Sequence, residues 1–186
     1  MKVVLKNVRL SFCDLFTPVQ FKGTGDAKYK ATFILVPGSP ADLAASAAVA
    51  AVAKETWKDK ARVHLAEISR LGKTSYKTDP LANSDGEVYG GFEGMHSVSS
   101  SSKTPPTVVD RDRSQLNPAS GLPYPGCYVN AIIDLWAQDN TFGRRINCEL
   151  KGVQFSADGE AFKGSAPARA DEFEVLGFDS NDDLPF

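Results

Sequence analysis

Two alternating stretches in the last third of the chain limit its fold more than any other feature. From Tyr128 to Gln138, Val129, Ala131, Ile133 and Leu135 point one way, while Asn130, Asp134, Trp136 and Gln138 point the other. The turn QDNTFG follows, and then Ile146, Cys148 and Leu150 alternate with Arg145, Asn147, Glu149 and Lys151. A period of two on both sides of a short turn predicts an antiparallel hairpin with one apolar face. A hairpin alone buries too little to be stable, so its apolar face must be covered by further strands or a helix. It also leaves Trp136 on the polar side, where a large ring has no core to enter.

Further strands are legible upstream. Val3 to Phe12 alternates with a change of parity near Asn7, which fits a bulge. In Tyr29 to Val36, Tyr29, Ala31, Phe33 and Leu35 share one face, while Lys28, Lys30 and Thr32 make the other face basic. Gly23, Thr24, Gly25 and Asp26 supply the turn between these strands. Ser39, Pro40 and Asp42 form a helix start: a hydroxyl cap, a proline in the first turn and an acid three residues after the cap. That helix is expected to run to about Lys60, with Leu43, Ala47, Ala50 and Trp57 at helical spacing.

From residue 70 to 125 the rhythm breaks. Glycines, six prolines and the four serines Ser99 to Ser102 predict short strands carrying long mobile excursions. After Phe155 no periodicity is sustained. The expected organisation is one mainly β domain over 1–156, an OB-fold-like, five-stranded, partly open barrel with one inserted α-helix and long loops, and a disordered acidic tail over 157–186.

Composition excludes several classes. At 186 residues the chain suits one domain with appendages. Its longest apolar stretch, Ala41 to Ala53, is mostly alanine and includes Asp42 and Ser46, which is short of a bilayer span, and the N-terminus lacks the apolar centre of a secretory signal. Cys13, Cys127 and Cys148 are odd in number and widely spaced, which argues against a disulfide framework or a zinc knuckle and for buried thiols. The net charge of -2 conceals a split: the six acids from Asp171 to Asp183 make a tail of -6 on a body of +4. Basic bodies of this kind commonly meet nucleic acid.

Motifs of catalysis are missing. Gly72, Lys73 and Thr74 lack the first glycine of a phosphate-binding loop, which would fall at Glu67, and no G-x-S-x-G elbow occurs. His64 and His96 have no metal-ligand spacing, and Asp110 and Asp112 are offset by Arg111 and Arg113. No metal, cofactor or catalytic residue is expected. Rings interleaved with cations remain: Lys73, Tyr76 and Lys77; Tyr89, Phe92 and Lys103; Arg111 and Arg113; and Trp136, Phe142, Arg144 and Arg145 around the hairpin turn. With Lys28 and Lys30 these form a candidate surface on which cations hold phosphates and Tyr76, Tyr89, Phe92 and Trp136 stack bases.

The chain ends Asp182, Asp183, Leu184, Pro185, Phe186. This ending resembles that of bacterial single-stranded DNA-binding proteins, which close with acids, an aliphatic residue, proline and phenylalanine. A second resemblance rests on YPGCYVNAIIDLWAQDN (124–140), RRINCELKGVQFSADGEAF (144–162) and the opening strand leading to LSF: these are similar to bacteriophage-encoded OB-fold single-stranded DNA-binding proteins. The resemblance implies a non-enzymatic protein that coats single-stranded DNA in replication or recombination, in the cytoplasm of an infected bacterial host. The acidic tail would modulate DNA binding and recruit replication or recombination proteins through its last five residues, a form of C-terminal capture. Duplex DNA binding and a homodimer stay open. Two competing readings are a phage structural or adaptor protein that uses its loops for protein contacts, and a small hydrolase using Cys13 or Cys127 with His64 or His96.

Overall fold

The computed structural model of the protein describes residues 1–162. Seven strands make one mainly antiparallel sheet in the order β3-β4-β2-β1-β6-β7-β5, with an added β4–β7 pairing that rolls β1, β2, β4, β6 and β7 into a five-stranded barrel. The strands are β1 Lys2–Phe21, β2 Thr24–Leu35, β3 Tyr76–Lys77, β4 His96–Ser102, β5 Thr107–Val109, β6 Tyr128–Asn140 and β7 Gly143–Ala157. The seam between β4 and β7 is held by one parallel pairing, Ser101 with Glu149. The partly open barrel read from the sequence is therefore closed at a single point.

The predicted hairpin is β6–β7, paired from Tyr128 with Ala157 to Asn140 with Gly143. Its inward residues Val129, Ala131, Ile133, Leu135, Ile146 and Leu150 are buried with Leu5, Leu10, Phe33 and Phe155 in one core. Burying each such side chain contributes roughly 1.5–3 kcal/mol. The parity change at Asn7 is a bulge: the β1–β6 register shifts between Leu5 and Val8. Asn7 adopts φ 52° there, and its N–H donates to Asn130 Oδ1 at 3.0 Å. Asparagine tolerates this left-handed backbone better than most residues.

Helix α1, Pro40–Trp57, starts where the cap predicted, with the Ser39 side chain accepting from the Asp42 N–H. Its buried face, however, is Ala41, Ala45, Ala48, Val49, Val52, Ala53 and Trp57, while Leu43 is exposed. In an alanine-rich helix most faces look equally apolar, so the barrel end selects the face by fit. A 3-10 turn, Lys58–Lys60, leads into a second short helix, α2 Ala61–Arg70. Among the described residues no helix is long and apolar enough to cross a membrane.

One expectation gains a location and one changes. The serines Ser99 to Ser102 lie in β4, in register with Thr32 to Tyr29 of β2, because a neighbouring strand edge outweighs serine's weak strand preference. The chain past Ala157, expected as flexible tail, stays on the barrel through Phe162. The Tyr124 hydroxyl donates to Asp158 at 2.9 Å, and Arg9 lies 4.1 Å over the Phe162 ring. Backbones approach closely there: a Cβ on Gly126 would sit 2.1 Å from Glu160 O and one on Gly159 2.2 Å from Gly126 O, so only glycine fits.

Candidate nucleic-acid interface

The β4–β7 seam opens outward into a groove of ≈ 590 Å³. Ser99 and Ser101 of β4 line it with Asn147 of β7, and Lys28, Lys73, Lys103 and Arg145 supply its cations. Trp136 also lines it, 47% exposed, its backbone paired with Asn147. The sheet explains this exposure. Trp136 alternates with buried Leu135 on β6, and among the described residues no second layer lies over the polar face.

Lys73 arrives by a different route. Its N–H closes α2 on Ile68 O at 2.8 Å, and its carbonyl accepts from Ile146 N–H at 3.2 Å, so β7 staples it to the groove. Lys28, Lys73 and Arg145 form no ion pair among the described residues. Lys103 pairs with Asp26, and Glu149 pairs with Lys151 at 2.8 Å. The groove therefore keeps a positive surplus. A smaller depression of ≈ 270 Å³ continues from Lys73 to Arg144, whose Nε donates to Asp139 at 3.3 Å.

Both hairpin tips carry an exposed phenylalanine. Phe142, 85% exposed, sits in the two-residue turn between Asn140 and Gly143. Phe21, 72% exposed, precedes the turn Lys22-Gly23, whose φ angles of 50° and 70° match the twist of the strands. Phe21 was not among the predicted residues. An aromatic abutting a glycine turn, as at Phe142-Gly143, was the available signal.

The remaining predicted residues lie elsewhere. Tyr76 is half-buried: its hydroxyl donates to Asp42 Oδ1 at 2.8 Å and lies 3.2 Å from His96 Nδ1. Burial and the Asp42 carboxylate push its phenol up to about 12. Its ring meets that of His96 at near right angles, with centroids 6.0 Å apart. Phe92 is fully buried, 5.9 Å from Phe12 and 6.5 Å from Tyr89. Phe92 has no face open to a base, since its ring is fully buried. Lys77 is half-buried on β3. Lys30 lies in a separate recess with Tyr89, paired to Asp14 at 3.4 Å.

Arg111 and Arg113 follow β5. Arg111 stacks 5.7 Å from the Phe155 centroid, and its carbonyl accepts from Gln154. Gln154 is nine residues along β7 from Arg145, roughly 30 Å of strand. The tail residues Asp182, Asp183, Leu184, Pro185 and Phe186 lie outside the described residues.

The hydrolase reading loses its chemistry. Burial first, then Cys127 and Asp14, pushes the Cys13 thiol up to about 12, and burial pushes Cys127 to about 11. Thiols held protonated are poor nucleophiles. His64 packs edge-on to Trp57 at 5.7 Å and His96 faces Asp42 at 2.8 Å.

A five-stranded barrel with a basic groove across its seam and aromatic hairpin tips belongs to the class of OB-type barrels, whose strand faces and hairpin loops meet oligonucleotides and oligosaccharides. Within that class, the family model described as Enterobacter phage Enc34, ssDNA-binding protein, matches residues 1–185, and the chain belongs to this family. It is a non-enzymatic family. Protein p50 of Acyrthosiphon pisum secondary endosymbiont phage 1 is 38% identical over 190 residues, covering 99% of this chain and 98% of that protein.

Solved structures share the fold. The single-stranded DNA-binding protein from bacteriophage Enc34 in complex with ssDNA superposes with TM-score 0.61 at 24% identity, over 87% of this chain and 89% of that one. The single-stranded DNA-binding protein gp2.5 of bacteriophage T7 gives TM-score 0.57 at 13% identity, over 94% and 98%.

Proposed function

We propose that this protein binds single-stranded DNA along the β4–β7 groove and coats exposed strands during phage replication or recombination in the host cytoplasm. The observation that carries the reading is Trp136, a half-exposed ring inside a groove bordered by Lys28, Lys73, Lys103 and Arg145. Family membership and the DNA-bound Enc34 neighbour support it. Phosphates lie against the four cations while bases stack on Trp136, each stack contributing roughly 1–3 kcal/mol. The exposed rings of Phe21 and Phe142 at the hairpin tips offer further stacking faces. Every base has a face to stack, so sequence preference is weak.

The C-terminal residues complete the mechanism. Six acids and the terminal carboxylate compete electrostatically with DNA for the groove. When DNA displaces them, Phe186 and its carboxylate, with Asp182 and Asp183, dock on a replication or recombination protein through an apolar pocket ringed by cations.

The test is a titration of labelled oligo-dT with the full chain and with a version ending before Asp171, at low and moderate salt, with duplex of equal length as competitor. Both forms bind, duplex competes weakly, and truncation tightens binding most at low salt. If neither form binds at low salt, the groove is not a DNA site and the protein-docking adaptor reading takes its place. If truncation leaves affinity unchanged, the competing role of the tail falls while the groove stands.

A further inference from the structure

A second recess of ≈ 340 Å³ lies on the outer face of β1 and β2, apart from the groove. Rings dominate its wall: Phe12, Tyr89 and Phe162, with Pro125 beside them. Its volume falls at the low end of small-ligand sites, about 300–1,000 Å³. Two features of Phe12 call for an explanation beyond packing. It is 40% exposed, and its backbone takes φ 43°, a left-handed conformation that a bulky side chain adopts only under constraint. The β1–β2 register breaks at the same place, between Ser11 and Asp14, so the bulge turns the ring out of the barrel wall.

The ring is nevertheless held fast. Tyr89 meets it edge-on at 4.9 Å and buried Phe92 supports it at 5.9 Å. A strained backbone that fixes an exposed ring against two supports is a rigid apolar face open to water, and strain of this kind clusters at ligand clamps.

The polar groups of the recess define what fits. Lys30 and Asp14 pair at 3.4 Å and offset each other's charge, so the site does not select a phosphate. They leave donors and an acceptor beside the rings, which suits the edge of a planar heterocycle. Position selects its source. Lys28 lines the groove and Lys30 lines the recess, on the same face of β2 and two residues apart, roughly 7 Å along the strand. A strand leaving the groove along β2 reaches the recess directly.

We propose that the recess beside Phe12 takes an unstacked base of the same DNA strand, as a second site continuous with the groove; this rests on the reading of the groove as a single-stranded DNA site. Binding is measured by anisotropy with labelled oligo-dT of increasing length, on the full chain carrying Phe12→Leu or Phe12→Trp, with Trp136→Ala as the groove control and thermal melting beside each. Phe12→Leu keeps an apolar side chain but removes the stacking face. Strands short enough to fill only the groove bind Phe12→Leu as they bind wild type. Longer strands bind it about 5- to 150-fold more weakly, the range of one lost base stack, and Phe12→Trp restores them.

Identical curves for Phe12→Leu and wild type at every length overturn the proposal. So does an equal loss at every length with a lowered melting temperature, which would make Phe12 a prop for the loop. Failure of wild type to bind any length would instead remove the groove reading, and Trp136→Ala would then change nothing.

Discussion

The β6–β7 hairpin end and the stretch from Tyr76 to Phe92 look alike in sequence, each interleaving rings with cations, yet the molecule uses them in opposite ways. At the hairpin end, Trp136 and Phe142 face water because a two-stranded ribbon buries one face and, among the described residues, nothing lies over the other. Between β3 and β4 the chain lies back on the barrel, which gives its rings a second surface. Phe92 goes fully under, and the Tyr76 hydroxyl finds Asp42. A ring stays available to a ligand when its element has no second layer to pack against, and residue type does not report that.

The largest expected effect separates the two regions through stability. Phe92→Ala removes a fully buried ring and should cost about 3–5 kcal/mol, read as a drop in melting temperature, with affinity unchanged, wherever the protein is folded, for oligo-dT short enough to fill only the groove. Next comes Trp136→Ala. Its melting temperature should stay near wild type, since surface changes usually fall within about 0.5 kcal/mol, while affinity for oligo-dT should fall about 5- to 150-fold. If Trp136→Ala destabilises as strongly as Phe92→Ala, the hairpin ring is structural and the contrast collapses.

The pattern of what the sequence revealed follows the same physics. Alternation over Tyr128–Gln138 and Ile146–Leu150, the parity break at Asn7 and the cap at Ser39 are local signals set by one element's own geometry, and the barrel and helix start were legible from them. Trp136, Lys28, Lys73, Lys103 and Arg145 meet in one groove because β2, β6 and β7 carry Lys28, Trp136 and Arg145, Lys103 directly follows β4, and Lys73 is stapled to β7. The surroundings of Tyr76, Phe92 and Arg111 were not legible because their partners Asp42, Phe12 and Phe155 are 34, 80 and 44 residues away in sequence. No local pattern encodes such pairings. The short strand through Ser99 to Ser102 could not be placed for a related reason: the β2 edge, not serine, makes that strand.

The joint that diverts Tyr76 from the surface also has a pH signature. Burial alone would raise the Asp42 carboxyl, but hydrogen bonds from the Gly38 N–H, His96 and Tyr76 outweigh it and hold the carboxyl below its ordinary value. A depressed folded value means that this stabilisation is present above the unfolded carboxylate's pKa of about 3.9 and is lost as the pH falls through the folded one. Asp42→Asn should therefore cost about 1–3 kcal/mol at neutral pH. Denaturant unfolding of wild type and variant should converge only below about pH 4, and DNA affinity at neutral pH should not change. A gap that is the same at pH 3 and pH 7 would mean the carboxylate's charge is irrelevant to the joint.

The smallest effect sharpens the contrast among the cations themselves. Arg145 lines the groove without an ion pair among the described residues, whereas Arg111 lies against Phe155, far along β7. A cation that neutralises one phosphate releases counterions when it binds, so its removal lowers the steepness of log affinity against log salt by about 0.7 for a single strand. Arg145→Ala should show that change with a several-fold loss of affinity at low salt that fades as salt rises. Arg111→Ala should leave the slope at its wild-type value, although both substitutions remove the same formal charge. Equal slopes for the two variants would mean that DNA senses only the net charge of the body, and the groove would lose its claim to be the path. A change confined to Arg111→Ala would move the path to the β5 end of the barrel, away from Trp136.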